Sequence, residues 1–102
     1  MGLLTSIECY SESQVELSKL AKAISHPARI AILQLLSEGD CTCNDIVQRL
    51  PLAQSTVSQH LKELKKIHII DGLEIPPRTI YVLNHQVYKN LQSILSKFFN
   101  IS

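Results

Sequence analysis

Pro51-Leu52-Ala53-Gln54-Ser55-Thr56-Val57-Ser58-Gln59-His60-Leu61-Lys62-Glu63-Leu64-Lys65-Lys66 is the stretch on which the reading of this 102-residue chain turns. Val57, Leu61 and Leu64 recur at i, i+4 and i+7, so at about 100° per residue they form one buried stripe of an amphipathic helix. Ser55, Gln59, Lys62 and Lys66 fall on the opposite face. Short side chains in the first turns let the helix end approach base edges, Gln59 can reach bases, and the lysines can neutralise phosphates. An ordinary surface helix shares this pattern, so the flanking sequence has to decide.

Upstream, Thr42-Cys43-Asn44-Asp45-Ile46-Val47-Gln48-Arg49-Leu50 reads as a short helix. Thr42 can cap it, Asp45 stands three residues on, and Ile46, Val47 and Leu50 share a face. Pro51-Leu52 makes a tight joint, and two short helices so joined form a helix-turn-helix. Downstream, Leu73-Glu74-Ile75-Pro76-Pro77-Arg78-Thr79-Ile80-Tyr81-Val82-Leu83 reads as a β-hairpin with Arg78 at its tip, the position of a wing.

The run Ser25-His26-Pro27-Ala28-Arg29-Ile30-Ala31-Ile32-Leu33-Gln34-Leu35-Leu36, with Gln54-Ser55-Thr56-Val57-Ser58-Gln59-His60-Leu61-Lys62-Glu63-Leu64, resembles the ArsR/SmtB family of bacterial winged-helix repressors. The resemblance spans roughly residues 12 to 98, and its most specific motif is Ser-x-x-Ser-Gln-His-Leu. It implies a dimeric winged helix-turn-helix, mainly α with a small β-hairpin between the fourth and fifth helices. It also implies a homodimer that represses an operon until a metal, metalloid or redox signal releases it from a pseudo-palindromic operator in double-stranded DNA. The expected DNA-facing residues are Gln54, Ser55, Thr56, Ser58, Gln59, His60, Lys62, Lys66 and Arg78.

The remaining segments fit one domain over residues 11–102, preceded by an arm of residues 1–10. Ser11 or Ser13 can start a first helix, with Gln14 or Glu16 at capping-box spacing and Leu17, Leu20, Ala21 and Ile24 as its stripe. Pro27 suits the first turn of a second helix that is apolar on nearly every side and ends at Gly39. Asn84 caps a last helix whose Val87, Leu91, Ile94, Leu95 and Phe98 form a long apolar stripe. So long a stripe calls for a second chain beyond a small core, the alternative being that the helix folds back onto its own core. The resemblance implies a dimer built from the first and last helices, which adds Leu17 to these expected contacts.

Apolar residues make up 45% of the chain, yet no apolar run approaches the ~18 residues of a membrane span and no secretory leader is evident. A cytoplasmic protein without a membrane partner is expected. Met1-Gly2-Leu3-Leu4-Thr5-Ser6 fits the loose myristoylation pattern, which short sequences match by chance. The net charge of +1 gives no general basic field. Lys62, Lys65 and Lys66 against Glu63 nonetheless concentrate +2 (three minus one) within five residues, so binding should be specific and salt-sensitive. Enzymatic activity is not expected, for there is no phosphate-cradling glycine loop and no nucleophile with an evident base.

Cys41 and Cys43 stand at the start of the third helix and Cys9 in the arm. Unpaired N–H groups at a helix start should lower a thiol pKa and raise its reactivity. Three thiolates suit trivalent arsenic or antimony, or a soft divalent metal, as inducer, and no resident cofactor is required. The pair resembles the Cys-x-Cys of metal-responsive family members, but one extra residue separates the second cysteine from the acidic position. Redox or persulfide sensing, a repressor without metal response, or a winged-helix protein-interaction module are the alternatives. A Cys41–Cys43 disulfide fits poorly at that spacing. A last-helix zinc site of the kind some members carry lacks its ligands, because His85 is the only histidine there. His60 reads as a packing or phosphate-contacting group, His26 as part of a helix start, and His68 as solvent-facing or structural.

Overall fold

A computed structural model describes residues 9–100. The myristoylation pattern and most of the arm lie outside them. Five helices and three strands follow in the order α1 (Glu12–Ala23), α2 (Pro27–Glu38), β1 (Cys41–Thr42), α3 (Cys43–Arg49), α4 (Gln54–Lys66), β2 (Ile70–Ile75), β3 (Arg78–Leu83) and α5 (His85–Phe98).

Local chemistry sets most of the boundaries. Ser11 Oγ accepts from the Gln14 N–H and the Gln14 side chain accepts from the Ser11 N–H, a reciprocal cap on α1. Thr42 and Asp45 do the same for α3. Pro27 is the first residue of α2, and Asn84 Oδ1 caps α5 by accepting from the Val87 N–H.

The wing is longer than its apolar alternation suggests. It begins at Ile70, because Gly72 interrupts the pattern while Ile69 and Ile70 are buried beneath it. Antiparallel pairing runs from Ile70↔Leu83 to Ile75↔Arg78, which leaves Pro76-Pro77 as the turn. β1 adds a third strand on the other edge of β3, with Cys41 opposite Tyr81 and Thr42 opposite Ile80. Two residues carry no readable period, so this strand is a structural finding.

Ile32 and Leu36 of α2, Ile46 of α3, Val57, Leu61 and Leu64 of α4, and Ile69, Ile70 and Leu83 of the wing form the core. Each buried aliphatic side chain there contributes roughly 1.5–3 kcal/mol, so the inner face of α4 is firmly seated. α1 packs chiefly on α5. Leu91 is buried in this core, which corrects its assignment as a dimer contact: α5 folds part of its stripe onto its own chain. Ala21 is exposed rather than part of the α1 stripe.

Candidate nucleic-acid interface

α4 divides as its periodicity requires. Gln54, Ser55, Thr56, Ser58, Gln59, Lys62, Lys65 and Lys66 are exposed, and Val57, Leu61 and Leu64 are at most 1% exposed. Ala53 precedes the helix without a side-chain cap, so the first-turn N–H groups have no side-chain acceptor there and point toward any approaching anion. Arg78 is exposed at the start of β3.

Between α4 and the wing lies a cleft of about 420 Å³ lined by Ser58, Lys62, Lys65, Lys66 and Tyr81. Three ammonium groups and two hydroxyls suit a phosphate-rich ligand. Lys65 and Tyr81 were not among the expected site residues, and only the fold brings the wing base against α4. Gly72 lies against this cleft, where an added side chain would crowd Thr79 of the neighbouring strand but not α4. A methyl group there would sit 3.1 Å from Thr79 Cγ2, with Lys65 Nζ and Tyr81 Cε1 next at 3.5 and 3.6 Å. Burial first, then Cys43 and Glu74, raises the Tyr81 pKa, so its hydroxyl remains a hydrogen-bond donor.

Lys66 is less free than the helical wheel implies. Its Nζ is 2.9 Å from Glu63 Oε2, and Gln59 Nε2 reaches the same oxygen at 3.4 Å. The hydrogen bond from Lys66 lowers the Glu63 pKa. A surface pair of this kind is weak enough for a phosphate to compete for the lysine.

His60 departs from the DNA-facing set. It is 8% exposed, and its Nδ1 accepts a hydrogen bond from Arg29 Nε at 3.1 Å. The reason was present in the spacing: residue 60 is i+3 from Val57 and i−4 from Leu64, on the buried stripe.

The thiols separate. Cys41 lies in β1 and is buried, and burial first, with Asp45 next, raises its pKa. That reverses the lowering expected for a helix start, because burial and the nearby acids Asp45, Asp40 and Glu38 all favour the neutral thiol. Cys43 is half-buried as the first residue of α3, with Sγ 3.6 Å from Ser58 Oγ on α4. Cys9 is exposed. Among the described residues no group of three or more His, Cys, Asp or Glu is arranged to hold a metal ion, so one chain does not gather Cys9, Cys41 and Cys43.

A second cleft, about 380 Å³, is lined by Thr42, Cys43, Asn44, Asp45, Arg78, Thr79 and Tyr81. Here the Cys43 thiol and the wing arginine share one space. The Thr42 backbone N–H is the main cause of the lowered Asp45 pKa, with smaller contributions from Arg78 and Arg49.

Of the expected dimer residues, Leu17, Val87, Ile94 and Leu95 are half-buried and Phe98 is 61% exposed. Among the described residues no helix is long and apolar enough to cross a membrane.

A family model described as "Bacterial regulatory protein, arsR family" matches residues 26–71, which run from the start of α2 through α4 into β2. The arsenical resistance operon repressor of Staphylococcus xylosus is 34% identical over 74 residues, 72% of this chain and 71% of its own length. The transcriptional repressor SdpR of Bacillus subtilis (strain 168) is 32% identical over 84 residues, 82% of this chain and 93% of SdpR. The chain belongs to the ArsR family. The fold agrees: an ArsR-like transcriptional regulator from Rhodococcus sp. RHA1 superposes with a TM-score of 0.77 over 88% of this chain and 85% of that one, at 19% identity. As an ArsR-family protein the chain is a winged-helix, DNA-binding transcriptional repressor and not an enzyme.

Proposed function

We propose that this ArsR-family repressor binds a pseudo-palindromic operator as a cytoplasmic homodimer, reading bases through Ser55, Thr56, Ser58 and Gln59. Lys62, Lys65 and Arg78 hold the phosphate backbone. The observation that carries this reading is the unbroken exposed polar face of α4 beside the lysine-lined cleft at the wing base. Supporting a second copy, Tyr10 and Phe98 are 56% and 61% exposed and line an apolar-walled groove of about 620 Å³ with Val15 and Leu17 of α1. Dimerisation sets two recognition helices about one DNA turn apart. A gel shift with the protein's own promoter, combined with sedimentation, tests both parts.

For the inducing signal we propose the thiol at Cys43. Its contact with Ser58 supports this, since a group added to the sulfur enlarges the joint between α3 and the recognition helix. The S. xylosus relative's name makes trivalent arsenic the first ligand to try. Redox or persulfide modification of this one thiol is the second chemistry to try, since it needs no further sulfur from the same chain. Arsenite and a persulfide, each titrated against the protein–DNA complex of wild type and Cys43→Ser, separate the two chemistries.

A further inference from the structure

His60 stands out because it is the only buried polar or charged residue among the described residues, and it sits on the helix that reads DNA. Its partner is equally placed to matter. Arg29, on α2, donates from Nε to His60 Nδ1 at 3.1 Å and from Nη1 to the Ala23 carbonyl at the end of α1 at 2.8 Å. One guanidinium thereby ties three helices together. The His26 ring lies 4.5 Å from the His60 ring, tilted by 48°, and is itself held by accepting the Ala28 N–H at Nδ1.

We infer that Arg29 and His60 form a pin that fixes the rotation of the recognition helix, and that proton uptake by His60 releases the pin and weakens operator binding. Arg29 and His60 are thus positioning residues; neither belongs to the exposed face of α4. The inference rests on α4 being the DNA-reading helix.

The hydrogen-bond inventory gives the mechanism. Arg29 can only donate, so His60 Nδ1 must carry a lone pair and the neutral ring must hold its proton on Nε2. In the imidazolium both ring nitrogens are donors, so no ring flip restores an acceptor. Protonation therefore sets two N–H donors and two positive charges against each other at a buried contact.

The surroundings are mainly basic. The cleft that Arg29 and His26 line also receives Lys19 and Lys22 from α1, and Glu63 and Lys66 from α4. Glu63, the one acid of these six, acts on Arg29 but is itself engaged by Lys66 at 2.9 Å. Burial first, then His26 and Arg29, holds His60 below its ordinary value. The sign follows: the neutral ring's contribution is complete above the unfolded value of about 6.5 and is lost as pH falls through the depressed folded one. Gln59 adjoins His60, so a turn of α4 that relieves the clash also moves the base-reading side chain.

The test is operator affinity, by fluorescence anisotropy, at about pH 8 and about pH 5.5 for wild type, H60N and H60L. Asn Oδ1 takes the place of Nδ1, accepts from Arg29 and does not titrate. Leu fills the space without an acceptor. H60L should bind weakly at both pH values and H60N should restore binding at the higher one. Between the two pH values the wild type should lose more affinity than H60N, by less than about tenfold because His60 takes up its proton below its ordinary value of about 6.5. An H60N profile that follows the wild type, or H60L binding as tightly as wild type at the higher pH, overturns the inference. The imidazole ¹⁵N spectrum of DNA-free wild type tests the pin independently of any DNA reading. A non-protonated Nδ1 with the proton on Nε2 is expected, and the opposite tautomer contradicts it.

Discussion

Cys43 Sγ lies 3.6 Å from Ser58 Oγ, so the first residue of α3 touches the exposed flank of the recognition helix directly. Alkylation of Cys43 by iodoacetamide adds bulk at that joint and should weaken operator binding within a range of about 5-fold to 150-fold. Cys43→Ser keeps a small hydrogen-bonding group there and should resist the reagent. Equal inhibition of wild type and Cys43→Ser, read by gel shift, would remove the thiol from the signalling account.

Cys41 should behave oppositely to Cys43 in thiol chemistry. It is 7% exposed and its pKa is raised, whereas Cys9 is exposed and Cys43 half-buried. Mass spectrometry after brief labelling near neutral pH should find Cys41 the last of the three modified. Labelling of Cys41 ahead of Cys43 would mean that β1 does not hold it as described. The raised value also fixes a sign: the neutral thiol's stabilising effect is present below the ordinary cysteine value and lost as pH rises through the folded one.

Thr42 carries the reciprocal cap of α3. Thr42→Ala should cost about 1 kcal/mol, read as a lower urea midpoint with an unchanged m-value. An unchanged midpoint would show that packing of Ile46 alone holds the helix start. Asp45, the other half of the cap, has a lowered pKa, so its contribution is present above the ordinary carboxylate value and fades as pH falls through the folded one.

Two residues of α5 should respond differently to a charge. Phe98→Glu alters an exposed ring beside the α1 groove and should shift sedimentation from twice the chain mass toward the single chain, with the thermal transition retained. Leu91→Glu buries an unpaired carboxylate in the protomer's own core and should unfold the chain. A dimer indifferent to Phe98→Glu would place the contact elsewhere.

The caps, the α4 stripe and the hairpin turn were legible because each is a local pattern. Ser11 with Gln14, Thr42 with Asp45, and Val57 with Leu61 and Leu64 need only neighbours three, four or seven positions away. What escaped depends on distant partners. β1 exists because Cys41 meets Tyr81, forty positions along the chain. The apolar stripe of α5 reveals that Leu91 must be covered but not that its own chain covers it. For His60 the sequence leaves packing and DNA contact both open, and burial decides for packing; its partner Arg29, 31 positions away, has no local signal.

The central claim is that the exposed face of α4 and the wing cleft read DNA, and titration of wild type, Lys62→Ala and Gln59→Ala against operator and unrelated duplex over a range of salt tests it most directly. Lys62→Ala should weaken both duplexes alike and reduce the log–log salt slope by about one for each lysine removed from a phosphate. Gln59→Ala should leave the slope intact and erode the preference for operator. Operator preference and salt slope both unchanged in the two variants would contradict the account.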